Sequence, residues 1–343
     1  MKYRMKNIRL NIGKWLLLLG GAMSPAAAQI PACPPGVFGA ARVNPAFSLN
    51  GNGKNIDTIA FWAGTAPGDT RMFVTAKDNA LLEVWHYPFQ GHEMAPLTHP
   101  TFHGSPVNGV VADQAANLLY VAIGAPASTV SVFTLPDLEF VRNFNKPGVD
   151  LEDEPNLALL TLPDGAKRLY VSSTERVYIH DAAGGELLGE FVPEAGLETM
   201  FADNFYQALY IPDENDRSGV YVYDPEGKPF LRDGTNRFGK GVFDSDAEGV
   251  WVYICYDAAG NDSGDGMIIV ADQVKPTTEF ECFDRRSWAH LGTVRIDGVG
   301  NTDGICSLQH PLPDYPLGLF VAIDDDTAVA GVGWEVLLER LRR

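Results

Sequence analysis

The sequence predicts an all-β fold, a six-bladed β-propeller with a short C-terminal helix. Three observations predict it: a hairpin pattern that recurs six times, a spacing between repeats near that of one blade, and a composition rich in turn formers. The chain has 343 residues and is 45% hydrophobic, enough for a large core. Its 35 Gly and 23 Pro suit short strands joined by tight turns better than long helices.

Residues 1–28 read as a signal peptide. Lys2, Arg4, Lys6, Arg9 and Lys14 precede an apolar stretch at 15–23, and Ala26-Ala27-Ala28 supplies the small residues of a cleavage site. The stretch is far shorter than the ~20 residues a membrane span needs. The expected product starts at Gln29, is periplasmic or secreted, and is one domain over 29–343. Residues 42–50 are expected to add a closing outer strand to the last blade.

The repeats begin at Arg71 (RMFVTAKDNALLEVWHY), Asn117 (NLLYVAIGAPASTVSVF), Lys167 (KRLYVSSTERVYIHD), Gln207 (QALYIPDENDRSGVYVYD), Gly266 (GMIIVADQVKPTTEFECFD) and Leu317 (LGLFVAIDDDTAVAGVGW). Each reads as a β-hairpin by period-two alternation and by its β-branched and aromatic content. Phe73, Tyr120, Tyr170, Tyr210, Ile268 and Phe320 recur at intervals of 40 to 58 residues. A period of roughly 40–50 residues with about four strands per unit is a propeller's. Trp334, Leu337, Leu338 and Leu341 have helical spacing and predict an amphipathic helix on the rim.

The formal charge is −18; without the leader, 21 basic residues face 44 acidic ones, a net −23. Such a surface repels nucleic acid and anionic lipid, so neither nucleic acid nor membrane insertion is expected, and the chain is read as a monomer. It also repels a phosphorylated substrate unless cations stand between. Cys33, Cys255, Cys282 and Cys306 lie far apart without a CxxC pair. They permit two disulfides in three pairings, or buried thiols, and their spacing does not suit zinc.

Upstream of five hairpins an acid opens the preceding strand: Asp57 (NIDTIAF), Glu154 (DEPNLALL), Glu198 (GLETMFAD), Glu248 (DAEGVWVY) and Asp303 (NTDGICSL); the second unit has Asn108 (VNGVVAD). The first strand of a blade lines the central channel, so these residues converge at one mouth. Carboxylates brought together there call for a cation, and hard oxygen donors favour calcium over zinc. Taken singly, Asp-Gly and Glu-Gly also punctuate turns.

Residues 301–326, NTDGICSLQHPLPDYPLGLFVAIDDD, resemble the ending of the β-propeller phytases: a TDG turn, a strand, a Pro-rich loop and YPxGLFVAxD. GLETMFADNFYQALYIPDENDRSGVYVYD, DSDAEGVWVY and GMIIVADQ…FECFDR resemble further segments, so the likeness spans about residues 196–338. It implies a calcium-dependent phosphoric monoester hydrolase resembling 3-phytase, in which a metal-activated water attacks a small phosphorylated substrate such as phytate. The family's catalytic carboxylates fall on Glu198, Glu248 and Asp303. Its calcium and water-activating carboxylates fall on Asp57, Glu198, Asp213 or Glu214, Glu248 and Asp303; Glu154 joins the expected metal ligands from the recurring strand-opening acids, and Asp297 and Asp324 from the segments flanking the TDG turn. Lys77 stands at a phosphate-binding lysine and Arg176 is the cation nearest another.

The departures weaken the phosphate clamp. One acid stands in Ile56-Asp57-Thr58 where the family has two before a proline, Ala76 or Asp78 replaces a second lysine, and AIGAPAST lacks an arginine. The alternative is therefore a non-catalytic propeller, stabilised by calcium, that binds a ligand or protein partner. A propeller lactonase would need a histidine at an inner-strand start, and none is there. His99 and His103 read as surface residues. No GxSxG, Walker loop or dinucleotide fingerprint occurs.

Overall fold

The computed structural model describes residues 33–51, 53–89, 104–144, 151–152, 154–214 and 217–343. The signal-peptide reading and the His99 and His103 reading lie outside the described residues.

Two strands come first, β1 (Ala40–Val43) and β2 (Phe47–Asn50). Blade 1 holds β3 (Ile56–Trp62), β4 (Arg71–Ala76) and β5 (Leu81–His86). Blade 2 holds β6 (Val107–Asp113), β7 (Leu118–Ile123), β8 (Thr129–Thr134) and β9 (Phe140–Phe144). Blade 3 has β10 (Leu157–Thr161), β11 (Lys167–Ser172), β12 (Val177–Asp181) and β13 (Leu187–Phe191). Blade 4 has β14 (Phe201–Asp203), β15 (Ala208–Pro212), β16 (Val220–Tyr223) and β17 (Arg237–Phe238). Blade 5 follows with β18 (Ala247–Tyr256), β19 (Asp262–Asp272), β20 (Glu279–Asp284) and β21 (His290–Ile296). Blade 6 has β22 (Ile305–Leu308), β23 (Leu319–Asp324) and β24 (Ala328–Gly333), and helix α1 (Trp334–Leu341) ends the chain. The six sheets make the expected six-bladed propeller.

The alternation of each hairpin explains the packing. One face of a blade meets its predecessor and the other its successor, so apolar clusters fill the seams between blades. The inner strands β3, β6, β10, β14, β18 and β22 surround a cavity of about 230 Å³ with Ile59, Val110, Leu157, Met200, Val250 and Ile305 among its walls. Polar clips reinforce the seams. Arg285, fully buried in blade 5, donates to both oxygens of Asp203 in blade 4 at 2.7 and 2.6 Å, and Lys167 of blade 3 reaches Asp113 of blade 2.

Ring closure is borne out for half of the expected segment. β2 pairs antiparallel with β24 and completes blade 6. Arg42 lies instead in β1, which runs parallel to β21 as a fifth strand of blade 5. The turn between β1 and β2 therefore carries the chain across the seam between two blades. Cys33 and Cys255 form a disulfide that ties the N-terminal segment to β18, while Cys282 and Cys306 are buried thiols. The helix buries Trp334, Leu337, Leu338 and Leu341 as its spacing predicts, and the Trp334 indole donates to Ser307 Oγ at 2.7 Å. No helix among the described residues is long and apolar enough to cross a membrane.

Candidate metal centre

Strand register defines which residues meet at the mouth. Ala60, Val111, Ala158, Phe201, Trp251 and Cys306 of the inner strands pair with Phe73, Tyr120, Tyr170, Tyr210, Ile269 and Val321. In the last two units the equivalent residue is thus one beyond Ile268 and Phe320. Three residues before each inner-strand member stand Asp57, Asn108, Pro155, Glu198, Glu248 and Asp303. Blades 4, 5, 6 and 1 place carboxylates in this ring, and blades 2 and 3 place none. Glu154 is therefore corrected: the ring position of blade 3 is Pro155, and Glu154 lies one residue outside it.

The local backbone explains the pattern. The register slips between Ile56 and Ile59, Val107 and Val110, and Ala247 and Val250, so a bulge sets Asp57, Asn108 and Glu248. An extra residue in one strand re-aims its side chains. The next position must be small where the neighbouring blade's backbone lies against it. A Cβ on Gly304 would stand 2.0 Å from the Asp57 carbonyl oxygen, and one on Gly249 2.5 Å from that of Asp303. These Gly residues serve inter-blade approach instead of turn formation.

Single oxygens of Asp57, Glu198 and Asp303 lie within 4.8 Å of one another, as do those of Glu198, Glu214 and Glu248, so Glu198 is common to two cation-sized clusters. Asp57 accepts from Thr58 Oγ1 at 3.0 Å and stands 3.2 Å from Lys77 Nζ, which also contacts Glu154 at 2.5 Å. Gln273 Nε2 donates to Asp303 Oδ1 at 2.5 Å, and Thr199 Oγ1 donates to the Glu248 carbonyl across the seam at 2.8 Å.

Burial is the leading cause that raises these acids. It pushes Asp303 up to about 9, with Asp57 and Glu198 adding repulsion. Glu198 and Glu248 also rise with burial; the hydrogen bond they share raises Glu198 and lowers Glu248. Asp57 and Glu214 are raised as well, chiefly by burial, and Lys77 opposes the rise at both. Burial disfavours the Lys77 ammonium, but Asp57 and Glu154 more than offset it and hold the charge. A nest of buried carboxyls drawn from four blades offers the all-oxygen donor set that suits calcium.

Of the expected ligands, Asp57, Glu198, Glu214, Glu248 and Asp303 come together. Between Asp213 and Glu214, the latter joins the cluster; Asp213 is buried and accepts from the Gly196 backbone at 2.8 Å, which fixes the loop leading to Glu198. Asp324 accepts from the Gly300 backbone at 3.0 Å, outside the clusters. Asp297 is corrected outright: it pairs with Arg42 in a surface recess beside α1. Arg176 pairs with Glu190 of β13 at 2.7 Å, turned toward the blade's outer strand. Asp326, which hydrogen-bonds Asp303, and Gln273 were missed. Gln273 was findable, because it stands four residues past Ile269, as Lys77 stands four past Phe73 and Glu214 four past Tyr210.

A model of the Phytase family matches residues 175–335. The likeness to β-propeller phytases read over residues 196–338 is borne out on that span. It covers the stretch that supplies Glu198, Glu214, Glu248 and Asp303.

Proposed function

We propose that this chain, phytase-like in its C-terminal half, is an exported, calcium-dependent phosphoric monoester hydrolase acting on phytate or a smaller phosphomonoester. The observation that carries the reading is the convergence of Asp57, Glu198, Glu214, Glu248 and Asp303 at one channel mouth, two clusters joined by Glu198. Asp57, Glu198 and Asp303 would hold one cation, and Glu198, Glu214 and Glu248 a second. Bound calcium would supply positive charge that draws a phosphate to an acidic protein and polarises oxygens during in-line attack. The chain's own part is positioning. Gln273 and Thr58 orient Asp303 and Asp57, Thr199 fixes the Glu248 backbone against blade 4, and Lys77 offers its ammonium to a phosphoryl oxygen. No covalent nucleophile enters this scheme. The reading includes a mature monomer of one domain, residues 29–343, in the periplasm or outside the cell.

A second reading, a calcium-stabilised propeller without turnover, draws support from Arg176, which is engaged by Glu190 and leaves Lys77 as the cation ion-paired at the ring. Phosphate release from phytate and p-nitrophenyl phosphate, with calcium and then with EDTA, separates the two. The expected result is calcium-dependent release that falls at least a hundredfold in Glu248→Gln with the fold intact. Calcium-dependent melting without release from the wild-type protein establishes the second reading.

A further inference from the structure

We propose that Asn108 receives the anionic end of the substrate, its side-chain amide donating to a phosphoryl oxygen opposite the carboxylates. The proposal rests on the phosphomonoesterase reading above. Asn108 is fully buried, and neither its Nδ2 nor its Oδ1 has a hydrogen-bond partner among the described residues. Buried amides are ordinarily paired, and one left unpaired in the free protein destabilises it. Such a group is kept where a ligand completes it.

Its place says which ligand. Asn108 holds the ring position of blade 2, set by the same kind of bulge that sets Asp57. Four blades put carboxylates at that position, whereas blades 2 and 3 put Asn108 and Pro155 there. The ring therefore has an acid arc, suited to cations, and a facing uncharged arc. β6 packs on the Lys77–Asn79 turn, so the amide lies on the Lys77 side of the mouth. A carboxylate at 108 would turn like charge on an approaching phosphate; asparagine keeps a similar size and adds a donor. Asn108 and Asp57 are equally closed to solvent, and Lys77 is the side chain against Asp57.

The test uses the calcium-loaded full chain and its Asn108→Ala and Asn108→Asp variants, with inorganic phosphate as probe by calorimetry. KM for p-nitrophenyl phosphate, terbium binding, and Tm in EDTA are measured beside it. Asn108→Ala is expected to weaken phosphate binding and raise KM roughly tenfold, and Asn108→Asp further, with terbium binding kept or tightened. Tm in EDTA should hold or rise in Asn108→Ala, because the unpaired amide is gone. Wild-type phosphate affinity in both variants overturns the proposal, as does a Tm loss with unchanged KM. Loss of terbium binding in Asn108→Ala in parallel with the loss of phosphate binding would overturn it in favour of a metal ligand. If Asn108→Asp fails to fold, Asn108→Ala carries the same readout. A wild-type protein that binds no phosphate removes the phosphomonoesterase reading itself, a result distinct from intact wild-type binding with indifferent variants.

Discussion

Asp303 shows what a carboxyl does among its own kind: buried beside Asp57 and Glu198, it holds its proton up to about pH 9 where an open aspartate has an ordinary value of 3.8. The folded chain thus keeps protons that the unfolded chain has released, so metal-free stability falls as pH rises from about 4 to about 9. The slope is about 1.4 kcal/mol per pH unit for each retained proton. Thermal melts in EDTA across that range should show Tm falling, and saturating calcium should remove the decline. Calcium binding near pH 7 should also release protons, measurable in a weakly buffered titration. Lys77 is the resident counter-ion of the same nest. Lys77→Met is expected to lower Tm in EDTA yet tighten calcium binding, since the ammonium and the cation compete for Asp57; weaker calcium binding in the variant would contradict this. Asp57, Glu198, Glu248 and Asp303 were legible because an acid ahead of a small residue and an apolar strand recurs at blade spacing. Glu154 was misplaced because the nearest acid was taken instead of the position three residues before the strand's pairing residue. Asp326 was illegible for a conformational reason: Asp325 and Asp326 both adopt left-handed backbone, at φ 48° and 56°, and the direction of three successive aspartates follows from that turn.

Strands and turns place the ring to within a residue, and the small positions behind it carry the constraint. Gly304→Ala would drive a methyl group into the Asp57 carbonyl, a backbone group that cannot swing aside as a side chain could. An expected loss of about 1–3 kcal/mol, read by urea denaturation with calcium present, should come with weakened cation binding because Asp57 itself must shift. A comparable change at Gly165, a turn with open space around it, strains only its own backbone and should leave cation binding alone. The six hairpins were readable from period-two alternation alone. The face each one presents was less so: Ile268 and Phe320 were matched to Phe73 by motif likeness, yet they pack toward the preceding blade while Phe73 packs toward the next. A one-residue slip exchanges the two faces of a strand, and both candidates are apolar, so hydropathy could not choose between them.

At the scale of the whole molecule, the ring is held shut by its N-terminal segment in three ways: β2 in blade 6, β1 on blade 5, and the disulfide between Cys33 and Cys255 across a sequence separation of 222. Cys33→Ser is expected to cost about 2–5 kcal/mol of stability, seen as a lower Tm that dithiothreitol reproduces in the wild-type protein. Mutating the cysteine should leave β1 and β2 in register, so circular dichroism of the folded state is unchanged. This closure also dictates an order of assembly. β2 leaves the ribosome about 280 residues ahead of β24, the strand it must join. At typical synthesis rates that interval is roughly 15–60 s. Throughout it the nascent toroid has two raw edges able to recruit another polypeptide, and a prematurely terminated product keeps both for good.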